Sequence, residues 1–186
     1  APTTTFIGRE NELTQIEKWL AEPDGRLLTI TGPGGMGKTR LAQEAARGQI
    51  GAFADGVWLV SLVAFQDLSG MITAVAEAMD LTLSGQEAVA TQLLNQLKPL
   101  EALLVLDNLE HLLNDQMRDF LSQLTENAPE LRLVATSRER LRLQAERLLA
   151  LEGLPFPVIG DPLAVSGKPI TDHRIPFTDY PAVQLF

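Results

Sequence analysis

Residues 27–39 read LLTITGPGGMGKT: a short apolar run, four glycines within six positions, then Lys-Thr. Few folds accept such a segment. The apolar run over 27–30 has the length of a buried strand. Residues 38–50, with Leu41, Ala42 and Ala45 at helical spacing, predict an amphipathic helix. The glycines between them permit positive φ and let backbone approach another group closely. A strand, a glycine turn and a helix start collect several backbone N–H groups at the positive end of a helix dipole, which makes an anion site. The segment also fits G-x-x-x-x-G-K-[ST] at every position. That pattern makes Gly32, Pro33, Gly34, Gly35, Met36 and Gly37 a phosphate cradle that continues through Lys38, Thr39 and Arg40. Lys38 is expected to reach the β- and γ-phosphates, and the Thr39 hydroxyl to coordinate Mg²⁺. A chance glycine turn is the competing reading; the strand before and the helix after argue against it.

The rest of the chain alternates in the same way. Apolar runs at 57–62, 103–106, 131–135 and 147–151 predict further strands. Helical periodicity falls over 10–20, about 67–80, about 86–98 and 115–127. Strands alternating with helices predict βαβ units and a parallel sheet with right-handed connections. Beyond residue 152 the composition changes: residues 153–186 hold six of the eleven prolines, a spacing no helix can run through. Residues 1–152 are therefore expected to be one nucleotide-binding domain, and 153–186 a proline-rich linker leading to a truncated helical domain.

Two further segments carry candidate chemistry. Asp107 ends the run LLVLD, 69 residues after Lys38. A carboxylate at the carboxyl end of an inner strand sits where open α/β sheets bind ligands, which suits the Walker B role of holding the Mg²⁺ shell. Its alternative is an ordinary cap of the following helix. The sequence ATSR at 135–138 again puts polar residues at a strand end. Arg138 there is a candidate sensor of the γ-phosphate, since guanidinium grips phosphate in a fork. Arg138 belongs to a local concentration, Arg132, Arg138, Arg140, Arg142 and Arg147 against Glu139 and Glu146, in a chain whose net charge is −9. Its bland reading is a solvated surface helix.

Composition bounds the rest. The chain has no cysteine and only His111 and His173, which removes thiol chemistry and makes a multi-histidine metal site implausible. The acidic balance argues against direct nucleic-acid binding or attachment to an acidic membrane. No apolar stretch approaches membrane-spanning length. The start APTTTFIGRE lacks signal-peptide character, so the cytoplasm is the expected compartment.

Taken together, FIGRE at 6–10, GPGGMGKT at 32–39, LLVLDNLEHL at 103–112 and VATSRERL at 134–141 resemble the STAND class of P-loop NTPases. The likeness is nearest to bacterial ATPases related to NB-ARC proteins and often attached to transcriptional regulators. The resemblance implies a three-layer α/β P-loop NTPase fold with a five-stranded parallel sheet of order 5-1-4-3-2. It implies ATP or ADP with Mg²⁺ as ligand, and a signalling switch coupled to self-association and to effector or DNA-binding domains outside this chain. It places Ile7, Gly8 and Arg9 at the adenine and Arg138 as sensor, making Lys38, Asp107 and Arg138 the expected catalytic set. One departure matters. Many relatives carry an acidic residue after the Walker B aspartate, where this chain has Asn108, and an amide cannot accept a proton as a carboxylate does. Glu110 is the nearest substitute, and hydrolysis is therefore expected to be slow or partner-dependent.

Three other readings compete. A GTPase would use Asp67-Leu68-Ser69-Gly70 as D-x-x-G, but no N-K-x-D accompanies it, and Asp at a helix start is a common cap. A P-loop kinase would need an arginine-rich lid, and the FIGRE segment argues against it. An interaction module with structurally bound ADP would use the nucleotide only as a staple.

Overall fold

The computed structural model describes residues 8–153. Residues 12–151 form one compact unit; the described part of the other is residues 8–11, 152 and 153. Five helices and five strands follow in the order α1 (Glu10–Leu20), β1 (Leu27–Thr31), α2 (Lys38–Gly48), β2 (Val57–Ser61), α3 (Leu68–Ala78), α4 (Val89–Leu97), β3 (Leu103–Asp107), α5 (Asp115–Asn127), β4 (Arg132–Ser137) and β5 (Glu146–Ala150). A short 3-10 helix, Leu109–Leu112, follows β3 and has no counterpart in the expected elements.

All pairings are parallel and the strand order is β2-β3-β4-β1-β5, the expected 5-1-4-3-2 read from the other edge. Strand parity divides the sheet into two faces. Leu27, Val60, Leu104, Leu106, Leu133 and Ala135 join α3, α4 and α5 in one continuous core. The alternate residues Leu28, Ile30, Leu103, Val105 and Val134 are equally buried but face the other way. On that side α2 lies across β1 to β4, and Ile16 and Trp19 of α1 line a cavity of about 160 Å³ with Leu28 and Leu149. β3 is buried along its whole length, as an inner strand covered by helices on both faces must be.

Side-chain caps set the starts of α3 and α5. Asp67 Oδ1 accepts from Gly70 N at 2.8 Å, so this aspartate is the cap that its position suggested. Gly70 itself is required by packing: a Cβ there would lie 2.9 Å from Phe65 Cδ1. Asn114 Oδ1 caps α5 through Met117 N, also at 2.8 Å.

The arginines do not share a helix face, so that reading is corrected. Arg132 opens β4 and Arg147 lies in β5. Residues 138–145 are irregular, with Arg142 at φ 62° and its N–H on Glu146 Oε2. Arg132 fastens the chain beneath the sheet, donating to Pro129 O at 3.1 Å and Pro23 O at 3.2 Å. Its burial and then the neighbouring Arg26 push its guanidinium below the ordinary pKa.

Candidate nucleotide site

The glycine-rich turn joins β1 to α2 at the carboxyl edge of the sheet. Gly35 has φ 80° and Gly37, the residue before α2, has φ 84°. A side chain is strained in that region whatever space surrounds it. A Cβ built at Gly34, Gly35 or Gly37 would meet nothing within 4 Å. The neighbouring chain therefore does not demand glycine at these three positions. What glycine provides is an open backbone free of side chains in front of a helix N-terminus, the polarity of an anion cradle. A nucleotide phosphate fits it.

Lys38 opens α2 and is buried, yet its ammonium is satisfied: Nζ donates to Gly32 O at 2.7 Å and to Pro33 O at 2.9 Å. It is folded back over the turn that precedes it and holds the two loop carbonyls. An ammonium has three protons, and the third has no hydrogen-bond partner among the described residues. Thr39, one residue on, is exposed and donates from Oγ1 to Asp107 Oδ1 at 2.8 Å. The structure thus brings together residues 68 positions apart in the chain.

Asp107 is 5% exposed, and it does not cap the following helix. Its Oδ1 accepts a second bond, from Thr136 Oγ1 at 2.5 Å. Thr136 is the residue that sequence reasoning missed. It is 1% exposed, and its hydroxyl also accepts from Asn108 N at 2.9 Å. Because the hydroxyl has one proton, accepting from Asn108 and donating to Asp107 fix its orientation. Strand register explains the meeting. Leu106 pairs with Ala135 across β3 and β4, so one step further Asp107 comes opposite Thr136, and both side chains point to the face covered by α2. Asp107 Oδ2 has no partner among the described residues. A carboxylate held by one oxygen with the other free, next to a threonine hydroxyl, suits Mg²⁺, which keeps several waters and takes few protein ligands. No cluster of three or more histidines or carboxylates able to cage a metal occurs among the described residues.

Thr136→Val is expected to lower stability by about 1–3 kcal/mol, because it leaves the Asn108 N–H and part of the buried carboxylate unsatisfied. Thr136→Ser should recover most of the loss. Denaturant unfolding measures both; a valine variant as stable as the parent would remove this bridge from the account.

The other candidates are placed as follows. Asn108 is left-handed at φ 70°, ψ 48°, a conformation that Asn and Asp tolerate better than most residues. Arg138 follows β4 directly and pairs through Nε with Glu110 Oε1 at 3.0 Å. In the other unit, Gly8 N donates to Glu10 Oε1 at 3.1 Å and Arg9 Nη2 to Glu152 O at 2.6 Å. Met36 and Arg40 are half-buried. Ile7 lies outside the described residues.

This arrangement can be set beside known proteins. The family pattern of the AAA ATPase domain matches residues 5–153. The chain belongs to the AAA ATPase domain family. That membership makes it a nucleotide-binding ATPase domain and agrees with the P-loop NTPase likeness carried by its motifs. An uncharacterized Mycobacterium tuberculosis protein is 33% identical to this AAA ATPase domain over 143 residues, 77% of the chain and 36% of the relative. A candidate HTH-type transcriptional regulator of the same organism is 36% identical over 122 residues, 65% of the chain and 13% of the relative. The chain thus spans about a third or less of these curated relatives. Among solved structures, Cdc6p from Pyrobaculum aerophilum aligns with a TM-score of 0.62 at 18% identity, over 84% of this chain and 48% of that one. A STAND protein with a tetratricopeptide repeat sensor from Pyrococcus horikoshii aligns with a TM-score of 0.61 at 18% identity, over 83% and 24%. At such identity these two likenesses speak for the fold. No helix among the described residues is long and apolar enough to cross a membrane.

Proposed function

We propose that this AAA ATPase domain is the ATP- and ADP-binding core of a STAND-type switch in which the nucleotide state is coupled to self-association and an effector output. The observation that carries the reading is the single cluster Lys38–Gly32/Pro33 and Thr39–Asp107–Thr136 beside an open glycine cradle. In this reading the N–H groups of residues 34–39 bind the phosphates, and Lys38 releases its loop carbonyls to neutralise phosphate charge. Thr39 and Asp107 hold Mg²⁺, with Thr136 keeping the carboxylate turned toward it. Arg138 contacts the γ-phosphate, while Ile7, Gly8 and Arg9 line the adenine. Bound nucleotide and Mg²⁺ supply the phosphoanhydride and the charge neutralisation that hydrolysis needs. The proline-rich segment expected over 153–186 lies, from residue 154 on, outside the described residues. The acidic chain does not itself bind nucleic acid and works in the cytoplasm; DNA contact belongs to an attached domain of the kind that the regulator relative's name indicates.

Asn108 makes hydrolysis slow, since an amide beside the Asp107 carboxylate cannot take a proton from water. Asn108→Asp suits the same left-handed backbone and is expected to raise turnover by about a hundredfold, the lower end of general-base contributions. Phosphate release under single-turnover conditions measures it. Unchanged turnover would move the base elsewhere, with Glu110 next.

A switch requires ATP and ADP to favour different conformations, because equal preference shifts nothing. Melting temperatures and hydrogen exchange with ATP–Mg²⁺ and with ADP–Mg²⁺ test this. Different exchange patterns support the switch. Identical patterns at saturation would leave the nucleotide as a structural ligand.

A further inference from the structure

We propose that Glu110 is a positioning residue that competes with nucleotide for Arg138, and so sets how strongly this site prefers ATP to ADP; the inference rests on the reading of Arg138 as the γ-phosphate contact. The two residues follow neighbouring strands, Glu110 in the 3-10 helix after β3 and Arg138 directly after β4. They meet at 3.0 Å between Arg138 Nε and Glu110 Oε1. Their environments differ sharply. The Glu110 side chain is 14% exposed and that of Arg138 is 68% exposed. Glu110 Oε2 is buried with no hydrogen-bond partner. The carboxylate is therefore mostly withdrawn from water and compensated by a single charge, whereas the guanidinium could stay solvated without its partner.

That asymmetry has a consequence for ligand choice. Guanidinium recognises phosphate best through a two-nitrogen edge, and here Nε is already engaged. A γ-phosphate gripped through the Nη pair shares the charge with Glu110, and one gripped through the Nε edge draws Arg138 off it and leaves a poorly solvated carboxylate behind. ADP presents no such group and leaves the pair intact. The cost falls on ATP alone, so the pair holds the resting state toward ADP.

The test compares affinities by calorimetry, using ADP and a non-hydrolysable ATP analogue, both with Mg²⁺. Glu110→Gln keeps the shape and removes the charge. It is expected to raise the ATP-to-ADP affinity ratio by about twofold to fivefold, the range of a partly exposed ion pair. Arg138→Ala should lower that ratio, and Glu110→Gln added to Arg138→Ala should change it no further. An unchanged or lowered ratio in Glu110→Gln, with Arg138→Ala still selective for ATP, would overturn the competition and leave the sensor reading standing. A raised ratio that persists without Arg138 would also overturn it. Equal losses for both nucleotides in Arg138→Ala would instead sink the sensor reading itself. If Glu110→Gln does not fold, Glu110→Asp, whose shorter side chain withdraws the carboxylate, should move the ratio in the same direction; no movement would reject the proposal.

Discussion

Lys38→Ala is expected to weaken both ADP and ATP by about a hundredfold or more while leaving the circular dichroism spectrum unchanged. The size follows from the chemistry. Truncating one member of a hydrogen-bonded charge pair in a buried setting costs about 2–5 kcal/mol, and Lys38 is both buried and the residue whose ammonium overhangs the turn. The fold should survive because α2 is held to the sheet by Leu41, Ala42 and Ala45, all on its buried face. The two carbonyls that lose their donor lie in a turn where Pro33 is exposed and Gly32 half-buried, so water can replace the lost bonds at about 1 kcal/mol. Titration calorimetry on the variant decides the matter. Affinity like that of the parent would mean that the anion site is not where the glycines put it.

Asp107→Ala should remove the Mg²⁺ dependence of ATP binding. The parent is expected to bind ATP about tenfold or more tightly with Mg²⁺ than with chelator present, and the variant equally under both conditions. The carboxylate supplies the negative charge at the proposed metal position, and without it Thr39 offers a neutral oxygen. The substitution also costs stability, about 1–3 kcal/mol, since the Thr136 hydroxyl is buried and loses its acceptor. Comparing affinities with and without the metal separates the two effects. A Mg²⁺ dependence kept in the variant would place the ion elsewhere.

What could be read from the sequence divides along a physical line. The glycine cradle, Lys38 and Thr39 are contiguous in the chain, so local conformational demands reveal them. Asp107 is legible because an inner strand that ends on a carboxylate puts it at one predictable edge of the sheet. Thr136 is different. Its partnership with Asp107 needs β3 beside β4, in a register that puts both side chains on the α2 face. Periodicity gives strands but not their neighbours; the order 5-1-4-3-2 came from the family likeness. The pair Glu110–Arg138 was hidden for the same reason, and also because the 3-10 helix at Leu109–Leu112 is too short to show a period. The arginine concentration misled because proximity in sequence is not proximity in space. Arg132 and Arg147 lie in two strands that flank β1 on either side, while Arg138 lies past the carboxyl end of β4.

Backbone amide shifts followed by NMR during titration with ADP–Mg²⁺ test the central claim most directly. The account predicts saturable one-to-one binding, with the largest shifts at residues 34–39 and smaller ones at Asp107, Asn108 and Thr136. Shifts centred elsewhere, or no saturation at millimolar nucleotide, would contradict it.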